Sequence, residues 1–159
     1  MAIIAQTRSL WQRRLDENIA DRGDFMKTYA FRMRRGQDLL LTIEEFCREK
    51  NVEAGVVLSG VGCVTGARVR DAGGVNVREI NAPLEIVSLN GTVSKARCHL
   101  HAAFSGEDLS TIGGHLMEGC IVNTTCEAVI GELDGIRFGT EFDEETGYDE
   151  LVIEQSARE

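Results

Sequence analysis

Three residues of this 159-residue chain stand out for the chemistry they could do: His99, His101 and His115, the only histidines it has. His99 and His101 are two apart in a run, Arg97 to Ser105, that reads as a β-strand, so both imidazoles leave the same face. Cys98, Leu100, Ala102 and Phe104 leave the other face, which reads as the core side. His115 follows Gly113-Gly114, where absent side chains let another chain segment or a ligand come close. Two neighbouring imidazoles repel each other when both are charged and are comfortable when neutral and sharing a cation. Three histidines with one open position form a frequent arrangement for a catalytic or exchangeable zinc ion. A hydrogen-bonded polar cluster at a subunit contact is the alternative that the spacing leaves open.

Other groups could join them. Glu85 opens a predicted strand expected near the histidine strand, and Glu127 sits in an otherwise apolar segment where burial would demand a partner. Either is a candidate catalytic group, to orient a histidine or to act as a general base. Glu118 reads as an exposed turn residue, and Ser59, Ser88 and Ser105 fall into no nucleophile arrangement. Gly60, Gly62 and Gly66 invite comparison with a dinucleotide loop, but the third glycine falls one position late. The residues after it, Ala67 to Asp71, read as strand rather than as the helix start that a phosphate cradle needs. These glycines read instead as points of tight turning and close packing. Five cysteines, an odd number without any Cys-x-x-Cys pair, read as small buried hydrophobes of a reducing compartment.

These groups must be positioned by a scaffold. At 43% hydrophobic and 27% charged, the chain has the balance of one globular core. Its net charge of −9 is uneven: residues 1–50 carry ten Lys/Arg against eight Asp/Glu, and the rest seven against eighteen. Such a surface repels phosphate backbones, so DNA is a disfavoured partner for this chain alone. Met1 to Leu10 lack the basic start and apolar run of a secretion signal, and the longest uncharged stretch, Ala54 to Ala67, is too short to span a bilayer. A cytoplasmic location and no membrane partner are the expectations.

Thr7 to Gly23 reads as an amphipathic helix, with Ser9 and Gln12 at capping-box spacing and Trp11, Leu15 and Ile19 on one face. Lys27 to Arg34 alternates as a strand, and Gly36 to Lys50 carries the helical stripe Leu39, Leu40, Ile43, Phe46 and Cys47. Further strands are expected at Ala54–Val61, Arg68–Gly74, Val75–Ile80, Leu84–Val93, Arg97–Ser105, Cys120–Leu133, Ile136–Phe142 and Leu151–Glu154. Asn90-Gly91 is a hairpin signal inside one of these runs, which also reads as one unbroken strand with the turn at Lys95-Ala96. Many strands and one long helix without regular alternation point to an α+β fold with a central, largely antiparallel or mixed β-sheet packed against one main α-helix. The expected organisation is an N-terminal helical extension over 1–25, a domain over 26–154 and a short tail over 155–159.

Several of these segments together resemble one family. They are Phe31 to Leu39 (FRMRRGQDL), Ser59 to Gly62 (SGVG), Leu84 to Thr92 (LEIVSLNGT), His99-Leu-His101, Gly113-Gly-His-Leu116, Cys126 to Ile130 (CEAVI) and Asp143 to Leu151 (DEETGYDEL). In order and spacing the chain resembles the plant and prokaryote conserved (PPC) domain family, over about residues 26–154. The resemblance implies an α+β domain that assembles as a homotrimer, with His99, His101 and His115 converging in a pocket near a subunit boundary. It also implies a family label of DNA binding, which in plants accompanies an Arg-Gly-Arg-Pro AT-hook. This chain has a single proline, Pro83, and so lacks that hook. The expected function is a trimeric cytoplasmic module binding a metal such as zinc, or a small ligand, through the three histidines. A DNA-binding regulator and a zinc-dependent hydrolase or lyase are the alternatives.

Overall fold

Alternation of apolar and polar residues drives most of this chain into strands. The computed structural model of the chain describes residues 26–155, and the helix expected at Thr7 to Gly23 lies outside them. Strand β1 (Met26–Arg34) turns Tyr29, Phe31 and Met33 inward. Helix α1 (Leu39–Glu49) buries Leu39, Ile43 and Cys47, spaced four apart along one face. The Phe46 ring of α1 stacks on Phe31 with centroids 4.1 Å apart and meets Tyr29 edge-on at 5.5 Å. The helix starts with its apolar stripe at Leu39 rather than at the expected Gly36, because Asp38 caps it and accepts a hydrogen bond from the Leu41 N–H at 3.0 Å. The second carboxylate oxygen of Asp38 accepts from the Gly119 N–H at 2.6 Å, tying the helix start to the turn at Glu118-Gly119.

The remaining strands are β2 (Gly55–Val64), β3 (Ala67–Arg70), β4 (Val77–Ile80), β5 (Leu84–Val93), β6 (Cys98–Ser105), β7 (Thr111–Leu116), β8 (Val122–Leu133), β9 (Ile136–Asp143) and β10 (Tyr148–Gln155). Eight of them form one sheet in the order β1-β8-β2-β5-β6-β7-β3-β4, and β9 and β10 form a separate hairpin. Every strand pair is antiparallel. Of the expected architecture the α+β class and the antiparallel sheet stand. The mixed-sheet option and the prominence of the helix do not: among the described residues the one α-helix is 11 residues long beside ten strands.

Leu84–Val93 is one strand, so Asn90-Gly91 makes no hairpin. Its buried residues run Leu84, Ile86, Leu89, Val93, and the alternation slips between Ile86 and Leu89 because the pairing register with β6 shifts there. The core lies between α1 and the inner sheet face, with Phe104, Met33, Leu39, Ile43 and Leu100 fully buried. The sequence reading assigns no element to residues 106–119, yet Thr111–Leu116 forms β7. Gly113 and Gly114 mask its strand character. They are there for proximity: a Cβ on Gly113 would lie 2.6 Å from the Ala102 carbonyl oxygen of β6, and one on Gly114 2.5 Å from the Arg70 carbonyl oxygen of β3.

The β9–β10 hairpin is anchored at its base, where the Phe138 N–H donates to the Glu53 carbonyl at 3.0 Å and Arg137 lies 3.5 Å from the Glu53 carboxylate. Its far end reaches β3: the Arg70 guanidinium sits 5.8 Å from the centre of the Tyr148 ring. No helix among the described residues is long and apolar enough to cross a membrane.

Candidate metal centre

The pleat of β6 separates two kinds of side chain. Leu100, Ala102 and Phe104 enter the core, and His99 and His101 stand on the outer face. Cys98, on the core side, contacts the Cys47 thiol of α1, and hydrogen bonding between the two pushes Cys47 above the ordinary thiol range. Cys98 therefore faces away from His99, as its position in the alternation predicts. On β7, His115 stands directly opposite His101, and opposed residues of an antiparallel pair share a face. On the other side of β6, Thr92 opposes His99 and Asn90 opposes His101. Gly91 lies between these two with φ +148°, and a Cβ there would collide with the His99 carbonyl oxygen.

The result is a compact triangle of imidazoles. Ring centroids are 5.2 Å apart for His99–His101, 5.0 Å for His99–His115 and 5.5 Å for His101–His115. One nitrogen from each ring lies within 4.8 Å of the other two, and among the described residues this is the one such group of three or more His, Cys, Asp or Glu side chains. His99 and His115 are half-buried and His101 is exposed. Burial pushes His115 down to about 4, and Arg70, His99, His101 and Arg97 push the same way. Burial also lowers His99, with Arg97 and His101 adding to the effect. Both rings are therefore neutral near pH 7, with a lone pair free on each.

This donor set fits a divalent metal. Nδ1 of His115 is buried and has no hydrogen-bond partner, a state that costs free energy unless something takes up the nitrogen. Donors bound to one zinc ion at its usual bond lengths stand roughly 3.4 Å apart, so modest ring rotations would close the triangle. Three imidazole nitrogens suit zinc, copper, iron or nickel rather than calcium or magnesium.

Neither Glu85 nor Glu127 belongs to the group. Glu85 is exposed on β5 and opposes Ser105, at the far end of β6 from His99. Glu127 is exposed on β8, opposite Arg32 and Val61, with β2 and β5 between it and β6. It needs no buried partner, because it stands on the outer face between the core residues Cys126 and Ala128. Glu118 is exposed, and its carbonyl accepts from Arg68. The carboxylate that does act on His99 is Glu150 of β10, which favours the charged imidazole against the larger lowering effects. Sequence reasoning missed Glu150, Arg70 and Arg97. Arg97 was within reach, since it lies only two residues before His99. Arg70 and Glu150 arrive through long-range pairing and hairpin placement that no local pattern carries.

The family model described as the Plants and Prokaryotes Conserved (PCC) domain matches residues 20–134. The chain belongs to this family. Among solved structures, this PCC domain is similar to a hypothetical protein of Salmonella enterica, with 34% identity, a TM-score of 0.79, and coverage of 84% of this chain and 97% of that one. It is also similar to a metal-containing protein from Archaeoglobus fulgidus, with 34% identity, a TM-score of 0.68, and coverage of 79% and 93%. Its sequence is 38% identical over 132 residues to the bifunctional protein GlmU of Synechococcus sp. strain JA-3-3Ab. That match takes in 83% of this chain and 21% of the relative, so the PCC domain spans about a fifth of the length of the curated proteins it matches.

Proposed function

We propose that this PCC domain is a homotrimeric metal-binding module in which His99, His101 and His115 hold one divalent cation, with zinc one of the ions that the donor set suits. The observation that carries the reading is the triangle itself: three imidazole nitrogens within 4.8 Å of one another, with His115 Nδ1 buried and unpartnered. The 34% identity to a metal-containing protein supports it. When bound, such a cation would supply a Lewis-acidic centre with a position left for a further ligand. The chain's own part is to keep the rings neutral by burial, and to fix their spacing through the β6–β7 register.

Support for self-association comes from the outer sheet face, where Leu58, Val61 and Val87 are about half exposed (49%, 52% and 56%). Val61 and Val87 are neighbours, because Gly62 pairs with Ile86. A cluster of apolar side chains left in water at the middle of a sheet marks a contact surface.

Elemental analysis of the purified protein after zinc is supplied tests the centre. A stoichiometric divalent metal is expected in the wild type, with loss of most of it in His99→Ala and His115→Ala, both of which should keep the native circular dichroism spectrum. A wild type without metal, or variants that retain it, would overturn the reading.

A further inference from the structure

The three imidazoles are not the only groups aimed at this spot. Arg70 opposes His115 in the β3–β7 register, so its side chain shares the outer face and stands on the far side of His115 from His101. Arg97 precedes His99 by two residues, in the turn just before β6 begins. The triangle is thus flanked by a guanidinium across the sheet and another at the start of the strand. Both charges are felt there, since Arg70 and Arg97 each disfavour the charged forms of His99 and His115. Every ion pair among the described residues uses other side chains, so neither guanidinium has a carboxylate within 4 Å there. Arg70 lies over the Tyr148 ring, a contact that steadies its plane while leaving N–H donors free.

This arrangement is out of balance for a cation alone. Neutral imidazoles leave the full charge of a divalent ion in place, two guanidiniums add to it, and Glu150 is the one carboxylate that acts on His99. Charges of one sign held close together are costly in a half-buried site, where water screens them less. An anion removes the imbalance. It also fits the two vacant features at once: a metal position open to an oxygen, and forked N–H donors matched to carboxylate or phosphate oxygens. The chain as a whole carries a net charge of −9, so an anion held at this spot is held by local groups against the overall field.

We infer that the centre takes a compact oxyanion, a carboxylate or a phosphate, held between the metal and the guanidiniums of Arg70 and Arg97. The inference rests on the metal reading above. Calorimetric titration of zinc-loaded protein, freed of excess zinc, with inorganic phosphate and separately with malonate reads it directly. At least one is expected to bind, and Arg70→Gln and Arg97→Gln should each weaken that binding about tenfold, the loss of one charge-assisted hydrogen bond. Zinc content, measured on the same samples, should stay at the wild-type level in both variants. Stronger phosphate binding assigns a phosphate ligand, and stronger malonate binding a carboxylate. Zinc-loaded wild type that binds neither anion, or zinc-loaded variants that bind as well as wild type, would sink the inference and leave the metal centre standing. A wild type that takes up no zinc removes both.

Discussion

Gly91 does for the histidines what no other residue could do at its place. It opposes Leu100 in the β5–β6 pairing, and a Cβ there would strike the His99 carbonyl oxygen. Gly91→Ala must open β5 from β6 or twist a backbone whose φ of +148° L side chains rarely adopt. We expect it to destabilise the fold by about 1–3 kcal/mol, read as a lower denaturant midpoint, and to reduce zinc retention because His99 moves with its backbone. Unchanged midpoint and zinc content would show that the strands have room to spare. At this scale part of the site was legible in the sequence. A period of two places His99 and His101 on one face without any knowledge of the fold. His115 joins them only through the β6–β7 register, which the sequence suggested by family resemblance and not by spacing. Glu85 and Glu127 show the converse limit: alternation assigns each a face, but not its distance along or across the sheet from the histidines.

Helix α1 and strand β7 are the elements where local pattern and final structure part. The apolar stripe of α1 is readable from Leu39 onward, but its start is set by a side chain, Asp38, that serves two partners. Asp38→Ala removes the cap and the link to Gly119 together. A loss of about 1 kcal/mol or somewhat more is expected, visible as a lower melting temperature, with Asp38→Asn recovering most of it because the amide oxygen can still accept from Leu41. If the alanine variant melts like wild type, tertiary packing alone fixes the helix start. Strand β7 escaped notice for a different reason. Its Gly-Gly pair has poor intrinsic strand preference, and its strand state follows from two neighbours, β6 and β3, that demand close approach. The long strand β8, rich in Val, Ile and Thr, was readable from composition alone, whereas Asn90-Gly91 left β5 open to a hairpin reading that the family resemblance argued against.

For the whole molecule the decisive surface is the outer sheet face, with apolar Leu58, Val61 and Val87 beside a polar centre. If this face joins subunits, light scattering should give three times the chain mass for the wild type, and Val61→Lys should shift the population toward monomer by placing a charge in the contact. A wild-type monomer at all concentrations tested would remove the trimer and leave the metal centre to a single chain. The sheet order has one more consequence. The three imidazoles belong to a single hairpin, β6 and β7, joined through residues 106–110, whereas β1 must find β8 across most of the domain. The chain entropy lost in closing a loop grows with its length, so gathering the three nitrogens restricts only a short stretch of chain. The larger ordering cost falls on the β1–β8 seam, far from the histidines, where a lapse in pairing can loosen the domain without scattering the triangle.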